Sequence, residues 1–220
     1  MIFHSSAELD FFNHFYKNFY SSVKFFHPYD KLSFNFVGDD SDHCNPILTD
    51  INTHDKIDIE SIKNKFNASN NRSAYGYYAL SRWLSIPLLD DHVCVCDIDL
   101  LMCNTIPNEF YENILNKHEV INITRKKPNG GEGGMMAMIL RNDICNDVKN
   151  YSNIVLQEKQ LKWDLDVDVR QFLYKEFNVF NILKMQDISK KQYQKTDDWF
   201  VFSKLDEKNK LNTTYNRIFE

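Results

Sequence analysis

The chain has 220 residues, enough for one large domain with a substantial buried core. Hydrophobic residues make up 43% and charged residues 26%, and the 6 Gly and 5 Pro are too few for a disordered or fibrous chain. The net charge of −5 sets the balance against a nucleic-acid partner, which calls for a basic excess.

Residues 1–7 read as a short first strand. Residues 8–26 place apolar side chains at 9, 12, 15, 16, 19, 20 and 23, the spacing of an amphipathic helix. Pro28 interrupts it. Residues 32–37 alternate as a second strand, and the polar segment 41–53 reads as loop. Residues 57–66 form a short helix or a strand and loop. Residues 73–89 predict a helix, with Tyr77, Leu80, Leu84 and Leu88 about one turn apart and Pro87 near its end.

The run 92–98, HVCVCDI, is short and almost wholly apolar, as suits a buried central strand. Helix over 107–117, strand over 120–124, a Gly-rich loop over 126–134 and strand over 135–140 follow. A helix over 142–152 starts at an Asn cap. Helix 166–177 and strand 179–183 come next, and the last 35 residues are polar apart from an apolar island at 199–202. Strands alternating with helices predict an α/β sandwich with a mostly parallel sheet, whose ligands gather at the carboxyl ends of the strands.

No stretch of about 18 apolar residues occurs, so no membrane span is expected. The amino terminus lacks the basic and apolar regions of a secretion signal. Five scattered cysteines read as reduced thiols, and the expectation is a cytoplasmic protein.

Asp97 and Asp99 follow the buried run. In extended backbone their side chains share one face, with Ile98 turned into the core. Two converging carboxylates repel unless a cation lies between them. A hard divalent ion, Mn²⁺ or Mg²⁺, answers that need, with phosphate oxygens of a ligand completing its shell. The bland alternative is a strand end whose solvated acids cap a turn. The apolar Leu100-Leu101-Met102 that follows argues against it. Cys94, Cys96 and Cys103 offer a zinc alternative, but two of them fall inside the expected strand, where small apolar residues belong.

The stretch YGYYALSRWL at 75–84, then IPLL at 86–89 and VCVCDIDLLM at 93–102, resembles the retaining GT-A glycosyltransferases, among them glycogenin and the bacterial lipopolysaccharide galactosyltransferases. The likeness covers 1–185 in the order of elements and is specific at 75–102. It implies a GT-A three-layer α/β sandwich over 1–220, with a nucleotide-binding half (1–104) and a sugar and acceptor half (105–220). The implied donor is a nucleoside-diphosphate sugar, UDP-sugar favoured, and the implied acceptor is a glycan or other hydroxyl.

The resemblance also implies roles. Asp97, Ile98 and Asp99 hold the donor, with metal on the two acids and Asp99 the more direct ligand. Arg82 reaches the diphosphate as a planar, always charged fork, and Arg72 is a second candidate. Asp10 and Phe11 lie where the family holds ribose and base. Glu132, Gly133 and Gly134 replace the family's Asn-Ala-Gly turn beside the donor sugar. Asp166 and Asp168 match an Asp-Gln-Asp element near the reacting carbon, with Val167 in place of Gln. The family's late metal-binding His has no counterpart, since no His follows His118. Two further readings stay open: a non-catalytic nucleotide-sugar binder of the same fold, and a nucleotidyltransferase, which lacks its Gly-rich basic loop after the first strand.

Overall fold

The computed structural model describes residues 1–37, 51–55, 72–89, 91–102, 105–106, 108–123, 137–158, 165–181 and 202–204. Its strands are β1 (Ile2–Glu8), β2 (Lys31–Val37), β3 (Ile51–Asp55), β4 (Val93–Cys96), β5 (Leu100–Met102), β6 (Val120–Asn122), β7 (Ala137–Leu140), β8 (Val179–Asn181) and β9 (Phe202–Lys204). Its helices are α1 (Leu9–Phe26), α2 (Arg72–Leu84), α3 (Asn108–Leu115), α4 (Cys145–Glu158) and α5 (Leu165–Glu176).

Among the described residues seven strands form one sheet in the order β3-β2-β1-β4-β7-β6-β8. β1 pairs in parallel with β2 and β4, β2 with β3, and β6 with β8. β7 alone among these runs antiparallel to both neighbours, β4 and β6. The expected α/β class with a mostly parallel sheet is therefore what the chain adopts.

Period-two alternation sorts the side chains onto two faces. Phe3, Leu32, Phe34, Phe36, Cys94, Cys96, Ile121 and Ile139 pack on one face with α1 and α3. Ile2, Val93, Val95, Val120, Met138 and Leu140 pack on the other with α2, α4 and α5. The result is three layers, helices over both faces of the sheet. β4 lies in the middle with all four residues buried, which is why its sequence is continuously apolar.

α1 forms because Phe12, Phe15, Phe19 and Val23 recur every three or four residues and all four are buried. It ends where the His27 amide bonds the Val23 carbonyl at 2.7 Å, one residue before Pro28.

Several boundaries differ from the sequence expectations. Helix α2 stops at Leu84 rather than 89: the Ser85 amide closes its last turn on the Ser81 carbonyl at 3.0 Å, and Ile86 precedes Pro87, which disfavours helical backbone. The segment read as loop up to 53 contains the start of β3, a polar edge strand held by backbone pairing to β2. The 142–152 helix begins instead as a 3₁₀ turn, Asn142–Ile144, and runs as α4 to Glu158, so Asn142 is not its cap. Leu100–Met102 pairs antiparallel with Phe202–Lys204 in a second, two-stranded sheet. The expected elements at 57–66 and 126–134 lie outside the described residues.

Candidate functional site

Strand order turns at β1 and β4. From β1 the chain proceeds outward to β2 and β3, then returns to lay β4 on the other side of β1. In open α/β sheets the crevice beyond the carboxyl ends of two such strands is where ligands bind. Asp97 is the first residue past β4 and stands at that point.

The central strand is shorter than the expected 92–98. It ends at Cys96, and the backbone turns through Ile98 and Asp99 before β5 begins. The alternation that would put Asp97 and Asp99 on one strand face does not operate across this turn, so any convergence of the two acids comes from the turn instead. Ile98 is buried among α1, β4 and α3 residues, as expected of its side chain, which leaves only its backbone to meet a ligand. The Asp99 side chain is buried too, with 7% of the residue exposed.

Arg82 reaches Asp97. Its Nη1 donates to Asp97 Oδ1, and its Nε donates to the Ala79 carbonyl at 2.9 Å. Helical side chains lean toward the helix amino terminus, and α2 runs antiparallel to β1, with Ser81 level with Ser6 and Ser85 level with His4. That lean carries the guanidinium toward the carboxyl ends of the strands. Burial works against its charge, but the Asp97 and Asp166 carboxylates outweigh this and hold its pKa above the ordinary arginine value. Asp166, in the first turn of α5, is thereby placed in the field of Arg82. Its own i, i+4 partner is Arg170, with Nε 3.8 Å from Oδ2.

A buried polar layer fixes the height of α2 on the sheet. His4 is fully buried; Ser33 Oγ donates to its Nδ1 at 2.9 Å, and its Nε2 donates to the Arg82 carbonyl at 3.0 Å and to Ser85 Oγ at 3.1 Å. The Arg82 carbonyl can only accept, so it fixes a proton on Nε2, and burial keeps the ring neutral so that Nδ1 accepts. Burial, with the nearby Arg82 charge, lowers the His4 pKa to about 3. Next to it the Ser6 and Ser81 hydroxyls lie 2.6 Å apart, and Ser6 also bonds the Asn35 carbonyl at 3.0 Å.

Of the residues singled out from sequence, Arg82, Asp97 and Asp166 come together. Asp99 follows in the same turn, and Asp168 lies on α5 one residue beyond Val167, half-buried. Phe11 is 40% exposed at the start of α1, its ring centroid 4.6 Å from that of Phe15. Asp10 and Arg72 occupy the first turns of α1 and α2, but their side chains are outside the described set, as are Glu132, Gly133, Gly134 and Cys103 altogether. Cys94 and Cys96 are buried free thiols. Burial, reinforced by its Cys94 neighbour, raises the Cys96 thiol well above its ordinary range.

Arg170 and His4 were not singled out by sequence. The i, i+4 spacing from Asp166 was a readable signal for Arg170. His4 had none, since nothing local separates a buried strand histidine from a half-exposed one.

Asp97 and Asp99 supply hard carboxylate oxygens of the kind Mg²⁺ and Mn²⁺ favour. Among the described residues no group of three or more His, Cys, Asp or Glu is arranged to hold a metal. Among the described residues no helix is long and apolar enough to cross a membrane.

No protein-family model and no curated protein matches the chain. Among solved structures, it is similar to the glycosyltransferase GlyE of Streptococcus pneumoniae TIGR4, at 10% identity and a TM-score of 0.49, over 88% of this chain and 47% of that one. It is also similar to an active-site mutant of LgtC, at 13% identity and a TM-score of 0.48, over 82% of this chain and 72% of that one. The chain thus spans about half the length of the first of these structures, and likeness at this level assigns no role to any residue.

Proposed function

We propose that the chain is a metal-dependent glycosyltransferase that moves a hexose from a nucleoside-diphosphate sugar, UDP-sugar by preference, to a hydroxyl of a glycan or similar acceptor. The observation that supports this best is the buried Arg82 guanidinium set against Asp97 at the carboxyl end of β4, where the strand order turns. A permanently charged fork at such a crevice suits a diphosphate.

In this reading Arg82 stabilises the negative charge on the departing nucleoside diphosphate, and its burial strengthens that effect. A divalent cation on Asp97 and Asp99 would offset further charge on the same leaving group. Asp10 and Phe11 hold the nucleoside. Gly133 and Gly134 let the backbone approach the sugar, whose hydroxyls bond Glu132, Asp166 and Asp168. Residues 1–104 serve the nucleotide and residues 105–220 the sugar and acceptor. The family resemblance at 75–102 adds retention at the anomeric carbon to the proposal. The work of the protein is orientation and charge stabilisation.

The test is nucleoside diphosphate release from a panel of UDP-hexoses with Mn²⁺ or Mg²⁺, with and without sugar acceptors. Turnover that needs the metal and disappears in Asp99→Ala is the expected result. Binding of the donor without release in any combination would leave a nucleotide-sugar binder in place of an enzyme.

A further inference from the structure

Arg170 is an anomaly in the region just described. Its side chain is 14% exposed, and its Nε is wholly buried with no hydrogen-bond partner among the described residues. A buried cationic donor without an acceptor is an unfavourable arrangement, and native structures rarely keep one without a use. Its one ionic neighbour among the described residues, Asp166 Oδ2, stands 3.8 Å from Nε, close enough to attract and too far to accept a hydrogen bond.

Asp166 also acts electrostatically on a second guanidinium, that of Arg82. It is one of the two carboxylates that hold Arg82 charged, and α2 and α5 are packed together on the same side of the sheet. On the far side of Arg82 stands Asp97. Charges therefore alternate from the end of β4 to the second turn of α5: Asp97, Arg82, Asp166, Arg170. Asp166 acts on two cations, and among the described residues Arg82 alone of the two has another carboxylate.

We infer that Arg170 is a positioning residue for Asp166, and that it draws the Asp166 carboxylate away from Arg82 when an anionic ligand occupies Arg82. A phosphate at Arg82 adds negative charge beside Asp166. The repulsion displaces the carboxylate, and the unfilled Nε–H of Arg170, one helical turn away, is where it goes. A shift of about 1 Å converts the present separation into a charge-assisted hydrogen bond. No covalent bond is made or broken in this step. Arrival of the diphosphate thus sets Asp166 in its working place on the sugar side, and the side chain at 170 rather than the one at 167 supplies the fixation. The inference rests on the proposed function for the anion at Arg82 and for the sugar-side role of Asp166.

The test follows the ¹H–¹⁵N signal of Arg170 Nε, assigned by its loss in Arg170→Lys, in the full chain. Without ligand, Asp166→Asn is expected to move that signal; an unmoved signal overturns the pairing whatever the protein binds. UDP with Mg²⁺, and separately inorganic pyrophosphate with Mg²⁺, should shift it and slow its exchange with solvent about tenfold, as a new charge-assisted bond requires. A signal indifferent to both anions overturns the inference, and calorimetry run alongside shows whether UDP binding, and with it the proposed function, has failed as well.

In turnover, Arg170→Met should lower kcat by about tenfold to a hundredfold, the cost of a misplaced group, with KM for the donor nearly unchanged. In an Asp166→Asn background the same substitution should have little further effect on kcat. Full additivity of the two losses would make Arg170 a structural residue and refute the assignment.

Discussion

Acid should loosen this fold in large part through His4. His4 is neutral in the folded chain, its pKa lowered from 6.5 to about 3 by burial, with both ring nitrogens committed to Ser33, Arg82 and Ser85. In the unfolded chain it takes up a proton near 6.5. Between those two values the unfolded state binds the extra proton, so stability rises with pH. The contribution is complete above pH 6.5 and drains away as pH falls toward 3.

The full window corresponds to about 5 kcal/mol, lost at no more than about 1.4 kcal/mol per pH unit. By pH 4.5 about 2.7 kcal/mol should already be gone. The assay is urea unfolding at fixed steps from pH 7 to 4.5, run on the wild type and on His4→Gln. Glutamine cannot titrate but keeps a donor and an acceptor, so His4→Gln should cost roughly 1–2 kcal/mol at pH 7 through imperfect bonds. Carboxylates elsewhere titrate equally in both proteins, so the difference between the two curves isolates His4. That difference should shrink and then reverse on acidification. Parallel curves over the whole range would refute the burial of a neutral His4 beneath α2.

Other outcomes follow from the same geometry. Arg82→Ala should weaken nucleoside diphosphate binding by roughly tenfold to a hundredfold in calorimetry, the loss of a charge-assisted contact, and Arg82→Lys should recover only part of it because the fork is gone. Trp83→Ala should destabilise the fold by about 3–5 kcal/mol in chemical denaturation, since the indole is fully buried against the sheet. Cys94, Cys96 and Cys145 should resist alkylation in the native protein at pH 8 by peptide-mapped mass spectrometry. All three are buried, and burial raises the Cys96 thiol well above its ordinary range and pushes Cys145 up to about 12.

Much of the architecture was legible because its signals were local. The short, wholly apolar VCVC suits a strand covered on both faces, and the spacing of Phe12, Phe15, Phe19 and Val23 suits a helix. β3 was not legible: INTHD has no apolar pattern, and its strand form comes from backbone pairing to β2. Nor was the pairing of Leu100–Met102 with Phe202–Lys204, which joins segments about a hundred residues apart. The polar alternate positions of β1 and β2, His4, Ser6, Ser33 and Asn35, mimic a solvated strand face, yet α2 packs over them: Ser81, the Arg82 carbonyl and the following Ser85 bond His4 and Ser6, which in turn bond Ser33 and Asn35. At the site, sequence suggested Arg82 and Asp97 as separate partners of one ligand. The fold brings them into contact with each other, because the lean of an antiparallel helix side chain is a three-dimensional fact.

The central claim is that Asp97 and Asp99 hold a cation that binds a nucleoside diphosphate together with Arg82. Thermal unfolding with UDP, in the presence and absence of Mn²⁺, tests it most directly. At a hundredfold excess over Kd the ligand should add roughly 2.7 kcal/mol, about 5–10 °C in Tm for a chain of this length, only when the metal is present and not in Asp99→Ala. The same shift without metal, or undiminished in Asp99→Ala, would contradict the account.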